Sequence, residues 1–370
     1  MKKPVLVENL AEFKENEVID HIVDEYDFIL EELFEIRNPW TKFKKEYETE
    51  FAEFKKDFLN GSTMEESGNW FFFPWSKTLV HFLDEETHFE IRTARNQNII
   101  TKEEQKKLYN STVSIAGLSV GSHGALTLSM MGMAKNMRIA DPDTISATNL
   151  NRIRYDYTLL GRSKAEVAAE YIYQMNPYAN LEVYDKGVNE ENFDAFLDGS
   201  DILVEEMDNL FMKIRIREVA KEKKMPVVMA TDNANNVILD VERYDLDPDL
   251  VIFNGVAGNL TVHEFQEMKP EDMPRLATKI AGVNLIEPRM ANSLLEVGKT
   301  LYSWPQAGDA ATLSGVVLAN AIKRIILGEP LIAGKVGVNI DQLLDPTYNN
   351  PDVVEARDAV VKDFKNKLGL

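Results

Sequence analysis

The stretch TVSIAGLSVGSHGALTLSMMGM, residues 112–133, joins a short apolar run to a helical pattern through a glycine-containing turn. The apolar run predicts a buried strand. Gly117 and Gly121 permit a tight turn and a close approach of the backbone to a ligand, because they carry no Cβ. Ser119 and Ser122 are small and carry hydroxyls that can donate to phosphate oxygens. The stretch therefore predicts a strand, a phosphate-binding turn and a helix whose N-terminus faces the phosphate.

Strand and helix patterns alternate downstream of this turn. The predicted strands are TVSIAG, MRIAD, LEVYDKGV, DILVEEMD and PVVMATDN. The predicted helices follow Ser122, Ser163, Asn189, Leu210 and Asn236. Strands separated by helices are typical of a doubly wound, Rossmann-like α/β sheet that is mainly parallel, and such sheets bind ligands beyond the carboxyl ends of their strands. The residues that follow each strand are therefore the candidates for a functional site.

Residues 1–90 differ in pattern from the rest and predict a mostly helical N-terminal appendage. Apolar residues at helical spacing predict two amphipathic helices, at residues 15–36 and 41–59, with RNPW as the break between them. The segment NGSTMEESGN predicts a loop, and WFFFPWSKTLVHFL predicts extended structure. Residues 91–335 then form the predicted nucleotide-binding domain, and residues 336–370 a tail that packs on it.

Composition excludes several classes of protein. The 370 residues carry 41 basic and 61 acidic side chains, a net charge of −20, and such a surface repels a nucleic-acid backbone. Because there is no cysteine, we expect no disulfide, no structural zinc site and no cysteine nucleophile. No apolar run of membrane-spanning length and no signal-peptide core is apparent, so we expect a cytoplasmic protein that does not enter a membrane.

Several polar side chains follow the predicted strands. Asp141 ends the second strand, where a carboxylate accepts hydrogen bonds from a ribose diol. Asn149, Arg152 and Lys164 follow it and offer an amide, a guanidinium and an ammonium, a set that suits the charge of a triphosphate. Asp208 ends the fourth strand, where it suits either a largely hydrated Mg²⁺ ion or the N-cap of the next helix.

In this order the elements resemble the ThiF/MoeB family, the adenylyltransferase core shared with ubiquitin-activating enzymes. The family pattern is a glycine loop, an Asp with D-x-V-x-x-x-N-L-x-R, then G-x-x-K-A, then N-P, then D-N after a strand. The matching elements here are Gly117, Asp141, DTISATNLNR, GRSKA, Asn176-Pro177 and Asp208-Asn209. The resemblance covers roughly residues 90–332 and includes AATLSGVVLANAIKRIILGEP, which is similar to the family's late helix.

The resemblance implies an ATP-dependent adenylyltransferase, in which a substrate carboxylate attacks the α-phosphate and pyrophosphate leaves. The residues implied to bind ATP are Gly117, Ser119, Gly121, Ser122, Asp141, Asn149, Arg152, Lys164, Asp208 and Asn209. Asp208 would also coordinate Mg²⁺. Arg152, Lys164 and Asp208 would act on the reacting phosphates, together with Arg95, which would reach the ATP site of the partner subunit in a homodimer.

The chain departs from the family pattern in two ways. Ser119, Val120 and Ser122 stand where the loop often carries glycine, and the β-branched side chain of Val120 would narrow a nucleotide pocket there. The cysteines that other members use for thioester transfer or for zinc are missing. The carboxylate, on a ubiquitin-like protein tail or a small molecule, would therefore pass to an amine, water, a sulfur donor or a thiol on another protein. Two other functions stay open. A redox protein that binds NAD or FAD uses the same loop and strand-end Asp, and a nucleotide-binding scaffold keeps the fold without catalysis.

Overall fold

The computed structural model describes residues 2–370 and divides into two compact units. The first unit comprises the chain up to Tyr109 together with Glu170–Ala179, and the second comprises Asn110–Ala169 and Asn180–Leu370. The domain boundaries at residues 90 and 335 that the sequence predicts stay a prediction.

The first unit combines helices with a small sheet. Its elements are β1 (Val5–Val7), α1 (Leu10–Asn16), β2 (His21–Val23), α2 (Tyr26–Arg37), α3 (Tyr47–Leu59), β3 (Asn69–Phe73), β4 (Thr78–Phe82), α4 (Glu85–Thr93) and α5 (Lys102–Tyr109). The four strands lie in the order β1-β3-β4-β2. The predicted extended segment is thus confirmed as the β3–β4 hairpin, in which the aromatic side chains of β3 are buried.

The predicted helix at 15–36 is wrong in its first half. The chain leaves α1 at Asn16, pairs as β2 with β4, and begins α2 only at Tyr26. Val18 and Ile22, which supplied the helical spacing, are 63% and 53% exposed, so they do not mark a buried helix face. The predicted helix at 41–59 is confirmed from Tyr47 onward.

The second unit is built on a seven-stranded sheet. Its elements are β5 (Thr112–Ala116), α6 (Val120–Met130), β6 (Asn136–Ala140), α7 (Lys164–Met175, of which the part from Glu170 onward belongs to the first unit), β7 (Asn180–Tyr184), α8 (Phe193–Leu197), β8 (Ile202–Glu205), α9 (Leu210–Glu222), β9 (Val227–Asn233), β10 (Asn236–Glu242), α10 (Val262–Gln266), α11 (Met273–Ala281), α12 (Pro288–Leu294), α13 (Gly308–Leu327), β11 (Gly334–Val338), α14 (Asp341–Leu344) and α15 (Pro351–Leu368). The strand order is β11-β10-β9-β8-β5-β6-β7.

The five predicted strands are confirmed as a parallel set. Strands β5 to β9 pair in parallel, in the Rossmann order in which β5 and β8 are neighbours at the point where the winding reverses. The predicted helix after Asn236 is wrong, because Asn236–Glu242 forms β10, antiparallel to β9. Every residue of β10 is buried, Asn236, Asp240 and Glu242 included, so no alternation of apolar and polar residues marked the segment as a strand.

Helix α13 packs closely against α6 on one side of the sheet. A Cβ on Gly315 of α13 would lie 2.6 Å from His123 Cβ of α6, so only glycine permits this approach. By length and composition alone α13 is also able to cross a membrane, which the sequence analysis did not anticipate. In this structure its buried residues, among them Ser314, Leu318 and Ile322, line the contact with α6 and the sheet.

Helix α9 contributes Lys213 and Arg217 to a group of interacting side chains that also includes Glu205, Glu242 and Tyr244. We call this group the α9 ionic cluster. Arg217 is fully buried and donates to both glutamates, at 2.6 Å to Glu242. Lys213 Nζ lies 3.0 Å from Glu205. Burial opposes ionisation of Glu205, but Lys213 and Arg217 outweigh it and hold its pKa below the ordinary value. Each acid in the cluster therefore faces a cation.

Candidate functional site

The glycine turn after β5 has a backbone that only glycine adopts without strain. Gly117 has φ of +94°, and a Cβ there would collide with the backbone carbonyl of Glu206, which follows β8. Its N–H donates to the carbonyl of Ala140 at 2.8 Å. Gly121 is also confined, since a Cβ would lie 3.1 Å from Ile115. The turn thus sits at the switch point between β5 and β8.

Asp141 ties this turn to the end of β6. Its carboxylate accepts from the backbone N–H of Leu118 at 2.6 Å and from that of Asp143 at 2.8 Å. The side chain is 5% exposed. Burial raises its pKa, while Lys164 and the two backbone donors oppose the rise. Because a carboxylate has about four acceptor positions, capacity for a ligand hydroxyl remains.

Arg152 reaches the N-terminus of α6. Its Nε donates to Ser119 Oγ at 3.2 Å, and its Nη1 donates to the carbonyl of Thr148 and to Asn151 Oδ1, both at 3.0 Å. His123 of α6 donates to the carbonyl of Arg152 and so holds this segment in place. The structure therefore brings together two predicted site residues, a guanidinium and a loop serine, at the positive end of a helix.

The other predicted phosphate ligands make internal contacts. Lys164 Nζ lies 2.9 Å from Asp143 and 3.9 Å from Asp141, and the side chain is buried. Asn149 accepts from the N–H of Ser146 in a capping box. Ser122 Oγ donates to the carbonyl of Ser119 at 2.8 Å. Lys164 lies beside Asp141, whereas the Asn149 side chain shapes the turn Ala147–Asn149.

Asp208 and Asn209 follow β8 and differ in their contacts. Asn209 is the N-cap of α9 and accepts from the N–H of Met212 at 3.1 Å. The sequence offered Asp208 as the N-cap of this helix, but Asp208 is not the cap; it is exposed in the bend before α9. An exposed carboxylate at this edge fits a Mg²⁺ ion that takes its other ligands from phosphate and water. Among residues 2–370 no group of three or more His, Asp or Glu side chains could hold a metal ion alone.

Arg95 lies in the other unit, in the 3₁₀ turn Ala94–Asn96. Its role across a dimer stays a prediction.

Sequence reasoning missed Asp232, near the carboxyl end of β9. The side chain is 3% exposed and accepts from Ser314 Oγ at 3.0 Å and from Gln306 Nε2 at 3.4 Å. Arg152 is close enough to influence its ionisation. Its position at the end of a predicted strand was a signal, but the two donors come from a segment more than 70 residues downstream, which no local pattern connects to it.

The fold and the site define a nucleotide-binding α/β domain of the Rossmann-like type, with a glycine turn, a strand-end aspartate and an arginine at one edge of the sheet. Comparison with known families is more specific. Residues 92–262 match the ThiF family, so this chain contains a ThiF-family domain, as the resemblance predicts.

Individual relatives extend this result. An uncharacterized protein of Mycobacterium tuberculosis (strain CDC 1551 / Oshkosh) is 35% identical over 282 residues, which cover 76% of this chain and 39% of that protein. The tRNA threonylcarbamoyladenosine dehydratase of Bacillus subtilis (strain 168) is 27% identical over 164 residues, 42% of this chain and 64% of that one. The molybdopterin-synthase adenylyltransferase of Haemophilus influenzae is 28% identical over 139 residues, 36% and 57% respectively. The chain thus spans less than two thirds of each relative's length.

Proposed function

We propose that this protein is an ATP-dependent adenylyltransferase that activates a substrate carboxylate. The carboxylate oxygen attacks the α-phosphate of ATP, the bond to the β-phosphate bridging oxygen breaks, and the products are an acyl adenylate and pyrophosphate. Similarity to an adenylyltransferase and to a dehydratase supports this reaction class. No side chain of this chain needs to act as a nucleophile in the step, so the absence of cysteine is compatible with it.

The observation that carries the proposal is the guanidinium of Arg152 bound to Ser119 at the start of α6, beside the turn that Asp141 holds. Phosphoryl transfer depends on positioning and on stabilising the charge that develops on phosphate oxygens. In this mechanism the turn from Gly117 to Ser122 contacts the phosphates and Asp141 accepts from the ribose. Bound Mg²⁺ would neutralise phosphate charge, and Asp208 is the residue that would hold it.

Further parts of the proposal concern partners. The acyl substrate is a protein tail or a small molecule that ends in a carboxylate, and the adenylate passes to an acceptor other than a cysteine of this chain. Arg95 acts across a homodimer. The net charge of −20 favours a substrate other than nucleic acid, and we propose a cytoplasmic location.

Magnesium-dependent exchange of labelled pyrophosphate into ATP, measured over a panel of carboxylates, tests the reaction. We expect exchange with at least one carboxylate, and a loss of about 10²-fold or more in Arg152→Ala, the size of effect that follows removal of one transition-state donor. Arg154→Ala is the matched control, since Arg154 is exposed two residues away. We expect it to exchange at the wild-type rate.

Calorimetry with ATP and Mg²⁺ measures whether the protein binds ATP at all, and absence of binding would contradict the proposal. A protein that does not bind ATP is not an adenylyltransferase. A protein whose melting temperature rises more with NAD or FAD than with ATP is a redox protein, because ligands stabilise the state that they bind.

A further inference from the structure

Asp232 is a buried carboxylate with no basic side chain bonded to it. Its two oxygens accept from the hydroxyl of Ser314 and the amide of Gln306, which are both neutral. By contrast, Asp240 on the neighbouring strand pairs with Lys335, and Glu205 pairs with Lys213. A buried charge without a countercharge is costly, so proteins retain one where a ligand supplies the missing cation or where a proton is exchanged.

The charges around Asp232 come from several elements. Burial raises the pKa of Asp232 to about 6, the hydrogen bonds from Ser314 and Gln306 and the charge of Arg152 oppose the rise, and Asp309 adds to it. Glu206, beyond β8, is a further acid that interacts with Asp232. The hydrogen bonds of Arg152 go through Nε and Nη1 to Ser119, Thr148 and Asn151, and its charge favours ionisation of Asp232.

Asp232 lies on the phosphate side of the sheet. Ser314 belongs to α13, which packs against α6, and Gln306 accepts through its carbonyl from Asn151, next to Arg152. The carboxylate therefore faces the segment that positions Arg152, near the end of a parallel strand, where such sheets bind their ligands.

We propose that Asp232 binds the primary amine that consumes the acyl adenylate and accepts its proton. This inference rests on the proposed function. The amine nitrogen attacks the acyl carbon, a C–N bond forms, and the bond from that carbon to the phosphate oxygen breaks. The ammonium ion has two protons to lose: the first passes to the Asp232 carboxylate before the nitrogen attacks, and the second leaves the nitrogen after the attack for a phosphate oxygen of AMP, which departs with the electron pair of the broken bond. The products are an amide and AMP.

The chemistry of the site favours an amine over the other acceptors. A primary amine arrives as an ammonium ion, which supplies the cation that the Asp232 carboxylate lacks. The same carboxylate then removes the proton that keeps the nitrogen from attacking. A base that titrates close to neutral pH is suited to this transfer. Water and thiols arrive uncharged and would leave the buried charge unpaired.

The test uses the full chain, ATP, Mg²⁺ and the carboxylate that supports pyrophosphate exchange, with n-butylamine or hydroxylamine as the acceptor. Hydroxylamine is uncharged at neutral pH and traps acyl adenylates without a base. We expect Asp232→Asn to keep pyrophosphate exchange and hydroxamate formation and to lose amide formation by about 10²- to 10⁴-fold, the contribution typical of a general base. The wild-type rate of amide formation should rise with pH and level off above about pH 6, and the variant should lack this limb.

Two further variants separate a catalytic role from a structural one. Ser314→Ala removes a donor that stabilises the ionised carboxylate and should move the limb to higher pH, by up to about one unit. Asp309→Asn removes a neighbouring negative charge and should move the limb slightly to lower pH. If Asp232→Asn does not fold, the opposite pH shifts of Ser314→Ala and Asp309→Asn test whether Asp232 acts as the base. Profiles of amide formation against pH that match the wild type in both variants overturn the proposal.

The remaining outcomes are also decisive. Amide formation at the wild-type rate in a folded Asp232→Asn variant overturns the role of Asp232 and leaves the adenylation reaction intact. Loss of exchange and hydroxamate along with the amide shows that Asp232 serves the first step, which also overturns it. Absence of exchange in the wild type, with every carboxylate, overturns the proposed function and this inference with it.

Discussion

The sheet of the second unit buries carboxylates on both of its faces, but it treats them differently. In the α9 ionic cluster every acid has a basic partner, and Arg217 alone bonds to Glu205 and Glu242. Asp232 on the α13 side has only Ser314 and Gln306, which are neutral. The paired acids join the sheet to α9, whereas the burial of Asp232 without a basic partner opposes its ionisation. The α9 ionic cluster and Asp232 therefore differ in whether a buried carboxylate has a basic partner.

The largest effect should come from breaking the paired side. Arg217→Met leaves Glu205 and Glu242 buried with one cation fewer, so we expect the free energy of unfolding to fall by about 3–5 kcal/mol, as measured by urea denaturation. Arg215→Met is the matched control. Arg215 lies on the same helix and makes partly exposed ion pairs with Glu190 and Glu218, which are worth about 0–1 kcal/mol. Equal losses in the two variants would remove the distinction between the two faces.

Removing the unpaired charge of Asp232 should raise the free energy of unfolding, whereas Arg217→Met should lower it. The pKa of Asp232 is raised from 3.8 to about 6, so the folded state binds its proton more tightly than the unfolded state does. Stability is then lost as pH rises from about 4 to about 6, by on the order of 3 kcal/mol. We expect Asp232→Asn to be more stable than the wild type by up to this amount at neutral pH, and to show little difference near pH 4.

Thermal or urea unfolding of Asp232→Asn between pH 4 and pH 8 provides the measurement. Asp309→Asn, an exposed acid on the same helix as Ser314, serves as the control and should change stability little. A variant of Asp232 that is less stable than the wild type at every pH would show that its carboxylate is structural, like those of the α9 ionic cluster.

The smallest changes in stability are expected at two neighbouring residues after β8, Asp208 and Asn209. Asn209→Ala removes the cap of α9 and should lower the free energy of unfolding by about 1 kcal/mol. Asp208→Ala, one residue earlier and exposed, should change it by less than about 0.5 kcal/mol. Of these two variants, only Asp208→Ala is expected to need a higher Mg²⁺ concentration than the wild type for pyrophosphate exchange. A larger stability loss at Asp208 than at Asn209 would contradict this assignment.

The sequence predicted the parallel half of the sheet well, because Gly117 and the apolar runs that precede Asp141 and Asp208 are local signals. It did not predict β10. Ala234 turns the chain with φ of +58° between β9 and β10, a conformation that alanine rarely adopts, so the neighbouring asparagines, Asn233, Asn235 and Asn236, were the only local turn signal. In the first unit, Val18 and Ile22 follow helical spacing but are exposed, and periodicity alone carries no information about burial.

The site was predictable only where its residues are close in sequence to the strands. Asp141 and Arg152 follow one strand, and both contact the glycine turn in the structure. The partners of Asp232 were not predictable, since Ser314 lies 82 positions away and the contact depends on how α13 packs. The competing role of Asn149 as a capping residue was also hidden, because the same amide serves a ligand or a turn equally well.

The contact at Gly315 has a consequence for how accurately the glycine turn and Asp232 are positioned relative to each other. Because Gly315 leaves no space between α13 and His123, the helix that begins at the glycine turn and the helix that carries Ser314 form a single rigid block. The distance between the glycine turn and Asp232, which is bonded to Ser314, is therefore fixed by this helix contact. A methyl group added at position 315 would push α13 away from α6 and so increase that distance, although Gly315 belongs neither to the glycine turn nor to the hydrogen bonds of Asp232.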